Sequence, residues 1–229
     1  MTRLKIIAAI FFPVILSFDS KAQFFDSLSA SFRTKPKIFF QFDAYNSFVS
    51  DKGASTFGYK AGVEFNNHIK FGIGYNTLTS DIVKDQIVTY TIPDSRPEQS
   101  ITDTLPAQLV MKFVPLLFEY IFYNEDPWQI SVPLNIGMGK TFWRYYKQQK
   151  NNKGEYEEGK FDEKTVVPMT INAEVQYKVI KWAGVGAGLG FRKMIKGNPA
   201  DENFNSVIYS LRLRLFVDEI YKSLFPKKN

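Results

Sequence analysis

Residues 56–65 read TFGYKAGVEF, and the period of this stretch decides the fold. In an extended strand Phe57, Tyr59, Ala61, Val63 and Phe65 share one face, while Gly58, Lys60, Gly62 and Glu64 share the other. An unbroken apolar face backed by glycine and by charges of both signs is the pattern of a strand with hydrocarbon on one side and a polar interior on the other. The same two-residue period recurs in eight blocks: 37–48, 55–65, 68–78, 107–122, 128–145, 165–178, 182–192 and 205–216.

Working outward, the spacers between these blocks alternate in length. Asn66-Asn67, residues 123–127 and residues 179–181 are short; residues 79–106, 146–164 and 193–204 are long. Asparagine tolerates positive φ, so Asn66-Asn67 suits a two-residue hairpin. Short turns at one end, long loops at the other and an even strand number are the scheme of a bacterial membrane barrel.

The last blocks repeat the faces most clearly. Val167, Met169, Ile171, Ala173, Val175 and Tyr177 oppose Thr170, Asn172, Glu174, Gln176 and Lys178. Ala183, Val185, Ala187, Leu189 and Phe191 oppose Gly184, Gly186, Gly188 and Gly190, and Val207 to Leu215 at every second position oppose Ser210, Arg212 and Arg214. An eight-stranded barrel has a lumen only wide enough for side chains, so the glycine row predicts space that long charged side chains fill. Pro115, Pro133 and Pro168 cannot donate to a ladder, which predicts a bulge or a strand start at each. Aromatic residues gather at the proposed strand ends (Phe65, Phe122, Tyr123, Trp128, Phe142, Trp143, Tyr145, Tyr146, Tyr177 and Trp182), as interfacial girdles do.

The termini read differently. Arg3 and Lys5 precede an apolar run broken by Pro13, and Ser20-Lys21-Ala22 places small residues where a signal peptidase reads, so residues 1–22 are expected to be a cleaved signal peptide. Residues 23–36 form an N-terminal periplasmic segment, residues 37–216 the barrel and residues 217–229 a periplasmic tail. Within that tail Val217, Ile220, Tyr221 and Leu224 follow helical spacing, with Asp218 and Glu219 early and Lys222 late, which predicts an amphipathic helix whose apolar face is a contact surface.

Composition narrows the chemistry. The 229 residues contain no cysteine, which removes lipoprotein anchoring, disulfides and thiolate metal sites. The formal charge of +6 is spread among acids along the chain, so a nucleic-acid partner is not expected. The single histidine, His68, falls in a proposed turn, so no His-dependent catalytic arrangement is expected and the protein is read as a non-enzyme. Glu155, Glu157, Glu158, Asp162 and Glu163 offer oxygen ligands, but Lys150, Lys153, Lys160 and Lys164 interleave with them, which reads as a solvated loop; no metal or cofactor is expected. The charges assigned to the inner face are Lys60, Glu64, Lys70, Glu119, Lys140, Glu174, Arg212 and Arg214. Mixed signs in so narrow a barrel predict a salt-bridge plug rather than a selective pore.

The paired segments VPLLFEY (114–120) and SVPLNIG (131–137), the glycine-rich seventh block and the boundary at Ala22-Gln23 resemble the small outer-membrane barrel proteins of the Bacteroidota. The resemblance implies an all-β, eight-stranded antiparallel transmembrane barrel of the OmpA or OmpX kind with a short C-terminal periplasmic helix. It implies location in the cell outer membrane, with lipid and an outer-membrane or periplasmic protein as partners. The expected role is a structural or accessory subunit of an envelope complex, with secretion machinery as one version. A small channel, or a soluble periplasmic ligand carrier with its apolar face turned inward, are the alternatives.

Overall fold

A computed structural model describes residues 32, 34–49, 52–91, 100–150, 156–197 and 204–224; the expected signal peptide and, of the segment 23–36, residues 23–31 and 33 lie outside them. Among the described residues nine strands run antiparallel in one sheet: β1 (Lys37–Val49), β2 (Lys52–Phe65), β3 (Ile69–Leu78), β4 (Val83–Thr91), β5 (Ser100–Glu125), β6 (Trp128–Lys150), β7 (Tyr156–Ile180), β8 (Ala183–Lys196) and β9 (Ser206–Phe216). Pairing of β1 with β9 and of β3 with β5 closes eight of them into a ring. Closure removes every free sheet edge at membrane depth, as hydrocarbon surroundings require.

The ninth strand corrects the sequence reading. Residues 79–106 are not a plain loop, because β4 pairs with the first part of β5 from Val83–Gln108 to Thr91–Ser100 and forms a ribbon above the ring. Likewise β6 and β7 continue their pairing to Lys150–Tyr156, well beyond the barrel wall. In the β4–β5 ribbon alternating polar and β-branched residues satisfy their backbone groups in a ladder, which outcompetes an irregular loop.

At the opposite end the connections are tight. Asn66 and Asn67 adopt φ of 48° and 58°, and His68 N–H donates to Phe65 O at 3.0 Å, the two-residue hairpin turn that matches strand twist. The prolines behave less uniformly than expected. Pro168 sits at a register shift between β7 and β8, but Pro115 and Pro133 leave the register unchanged. The β3–β5 ladder simply skips from Ile73–Leu116 to Asn76–Phe113, and the β6–β7 ladder from Ser131–Glu174 to Leu134–Ile171. A missing N–H is thus absorbed by omitting rungs on one side of the strand.

The barrel is apolar outside and polar inside. Leu116 (62% exposed), Leu189 (67%) and Leu211 (59%) face outward, while Lys60, Lys70, Glu119 and Arg214 are fully buried in the lumen. So continuous an apolar exterior is incompatible with a water-soluble carrier and defines a transmembrane wall. Trp128, Tyr177, Trp182, Phe122 and Tyr123 are exposed around the tight-turn end, where Trp128 and Tyr177 pack edge to face at 4.8 Å. Trp143 and Tyr145 correct the girdle reading: the strand parity of β6 turns them inward, and both are buried in an apolar cluster with Leu109, Met111, Phe113 and Phe204.

Helix α1 (Val217–Leu224) follows β9 directly at the tight-turn end. Asp218 accepts from Ile38 N–H at 3.2 Å, tying the first turn to β1. A hydrogen bond from Lys222, 2.6 Å away, holds the Glu219 carboxyl below its ordinary value. None of its residues is buried, and Tyr221 and Leu224 are 65% and 69% exposed.

Candidate functional site: the charged lumen

Inward parity on six strands brings the lumen charges together. Asp43 on β1 sits at the centre: Lys60 on β2 donates to its Oδ2, and Arg212 Nε on β9 approaches its Oδ1 at 2.7 Å. Arg212 also donates through Nη1 to Glu119 Oε2 on β5 at 2.9 Å. Its Nε lies 2.9 Å from Glu174 Oε1 on β7 but out of line for a hydrogen bond, so Glu174 is held by charge alone. Lys70 on β3 donates to Glu119 Oε1 at 2.6 Å and to Gln129 Oε1 at 2.8 Å. Arg214 completes the layer nearer the turns, donating to Glu64 Oε2 at 2.6 Å and to Gln129 and Gln176, with its guanidinium between the Phe39 and Phe216 rings.

The layer balances. Asp43, Glu64, Glu119 and Glu174 face Lys60, Lys70, Arg212 and Arg214, all buried, so within this layer no net charge is left in the low-dielectric interior. Lys140 is the correction. Its side chain is 65% exposed on the outer wall beside Glu163, because Ile136 and Met138 set even-numbered β6 residues outward. Asp43 takes the place that sequence reasoning gave to Lys140; the alternation of Gln41 and Asp43 with Phe40, Phe42 and Ala44 was the signal that marks it.

Glycine makes room for this arrangement. A Cβ added at Gly186 would meet Glu174 Oε1 at 3.1 Å, Val175 O at 3.2 Å and Arg212 Cβ at 3.6 Å. Gly186→Val is therefore expected to cost about 1–3 kcal/mol through overpacking, read as a lower midpoint of urea unfolding in lipid vesicles. An unchanged midpoint would mean that the lumen is looser than these contacts indicate.

Above the charges lie polar residues and then the apolar cluster. A cavity of about 10 Å³ lined by Thr56, Asn76, Asn135, Thr170 and Arg192 separates the two, room for about one water. Arg192 donates to Phe204 O at 3.2 Å and to Ser47 Oγ. At the tight-turn end an open pocket of about 300 Å³ lies between Trp128, Phe216, Lys178 and Asp218 and ends on Glu64, Gln129 and Gln176. His68 occupies the Asn66-Asn67 turn, away from the lumen layer. Among the described residues no group of three or more His, Asp or Glu side chains is arranged to hold a metal.

Fold and lumen together define a small transmembrane β-barrel with a filled interior. No family model matches the chain, and no curated protein matches it. Among solved structures it is similar to Neisserial surface protein A (14% identity, 80% of this chain and 99% of that chain, TM-score 0.48). It is also similar to the N-terminal β-barrel domain of OprF from Pseudomonas aeruginosa (10% identity, 79% and 98%, TM-score 0.41). A third is Ail, the attachment invasion locus protein of Yersinia pestis (12% identity, 79% and 96%, TM-score 0.41).

Proposed function

We propose that this chain is a non-enzymatic integral protein of the cell outer membrane, serving as a structural or accessory subunit of an envelope complex. In this reading the tight turns and α1 are periplasmic, and the β4–β5 and β6–β7 ribbons stand outside the cell. The observation that carries it is the neutral, ion-paired lumen layer below an apolar cluster, which leaves neither a charged path for ions nor a reactive pair for chemistry. Recognition then falls to the ends: the ribbons, and the helix face of Val217, Ile220, Tyr221 and Leu224. Secretion machinery is one such complex, offered by analogy of architecture.

Three measurements test this. The protein is expected in the outer-membrane fraction, released only by detergent; recovery in the soluble periplasm would overturn the location. In planar bilayers the purified barrel is expected to give no steady openings, and reproducible ion-selective steps would make it a channel. Affinity isolation from detergent-solubilised membranes is expected to recover a stoichiometric partner, and a lone barrel under mild detergent would remove the subunit role.

A further inference from the structure

The outer wall carries a charge arrangement opposite in logic to that of the lumen. Inside, cross-strand neighbours have opposite signs: Asp43 pairs with Arg212, and Lys70 pairs with both Glu64 and Glu119. Outside, directly above the apolar stripe of Val114, Leu116, Ile136 and Met138, Lys112 on β5 stands directly opposite Lys140 on β6. Four residues further up β6, Arg144 stands directly opposite Lys160 on β7. Like charges in direct cross-strand register are repulsive, and two such pairs lie on three adjacent strands of one face.

Among the described residues the chain's own acids pair with only two of these four cations. Glu163 lies on Lys140 and Glu158 is 3.5 Å from Lys160, while Asp81 accepts from Gln108, which in turn accepts from Arg144. Lys112 and Arg144 have no ion pair among the described residues. Arg144 and Lys160 ride over the outward rings of Tyr146 and Phe142, at 5.9 and 5.1 Å. Aliphatic stems on apolar surface with cationic heads raised above it are the posture of side chains at the membrane boundary.

We propose that Lys112, Lys140, Arg144 and Lys160 form a binding site for the phosphate groups of lipid headgroups in the outer leaflet. The site rests on the outer-membrane reading above. The apolar stripe places lipid acyl chains directly below the cations, so a phosphate at the headgroup level meets Lys112 and Lys140 first. A phosphate there supplies the counter-charge for Lys112 and Arg144, the member of each pair that the described acids leave without an ion pair.

The test uses the full chain in detergent micelles, with native mass spectrometry to count bound lipid. The probes are a doubly phosphorylated glycolipid and the same lipid after removal of its phosphates. The wild-type protein is expected to retain the phosphorylated form and not the other; equal retention of both overturns the site. The K112Q/K140Q variant is expected to lose retention roughly tenfold, while Lys222→Gln on α1 is expected to leave it unchanged. Undiminished retention by K112Q/K140Q also overturns the site. Excess inorganic phosphate is expected not to displace the lipid, and displacement would assign the site to free phosphate instead. Detergent-extracted protein is used throughout, so failure here leaves the fractionation result standing, and the reverse also holds.

Discussion

Replacing Arg212 by methionine is expected to destabilise the barrel by about 3–5 kcal/mol, the scale seen when one partner of a buried charge network is removed. Among the described residues Arg212 is the only lumen cation that touches three carboxylates, those of Asp43, Glu119 and Glu174. Without it Asp43 keeps Lys60 and Glu119 keeps Lys70, but Glu174, 1% exposed, keeps no cation. The loss is therefore concentrated on one residue, and a second substitution should recover part of it. In R212M/E174Q the buried charge is gone, and about 1–3 kcal/mol should return. Urea unfolding of the protein refolded in lipid vesicles measures both. The burial of these groups also makes the effect insensitive to ionic strength. Equal loss in the single and double variants would show that Arg212 acts by packing rather than by charge.

Leu211→Arg is expected to cost about 2–4 kcal/mol in the same assay, the penalty of a cation facing hydrocarbon near the middle of a barrel wall. Leu211 is 59% exposed, midway along β9, with Ala44 and Ala187 as its outward-facing neighbours in register. On a soluble protein an exposed leucine can take arginine within about 0.5 kcal/mol. The substitution thus separates a lipid-facing wall from a wet one. A neutral result in vesicles would contradict the outward direction of the apolar face.

The two substitutions probe residues adjacent in sequence and opposite in surroundings, which is the alternation of residues 56–65 repeated on the last strand. That period was legible without coordinates, because a strand has only two faces. Lys60 and Glu64 had to lie opposite Phe57 and Tyr59. Parity fails where its starting point is mistaken. Lys140 belongs with Ile136 and Met138, and Trp143 and Tyr145 belong inside, yet near a strand end composition alone suggested the reverse. Continuation of the strands into ribbons was also illegible, since polar residues with alternating character read as loop until a partner strand is present to pair with them.

By itself the sequence determined the strand period, the closed all-β class, the tight asparagine turn and most of the inward-facing residues, since these follow from local backbone geometry and the face each side chain takes. Only the tertiary structure decided which carboxylate meets which cation, that Asp43 balances the lumen, and that Lys112 faces Lys140 while Arg144 faces Lys160. Those are matters of register between strands as much as 169 residues apart, as in the Arg212–Asp43 pair, and no local pattern encodes them.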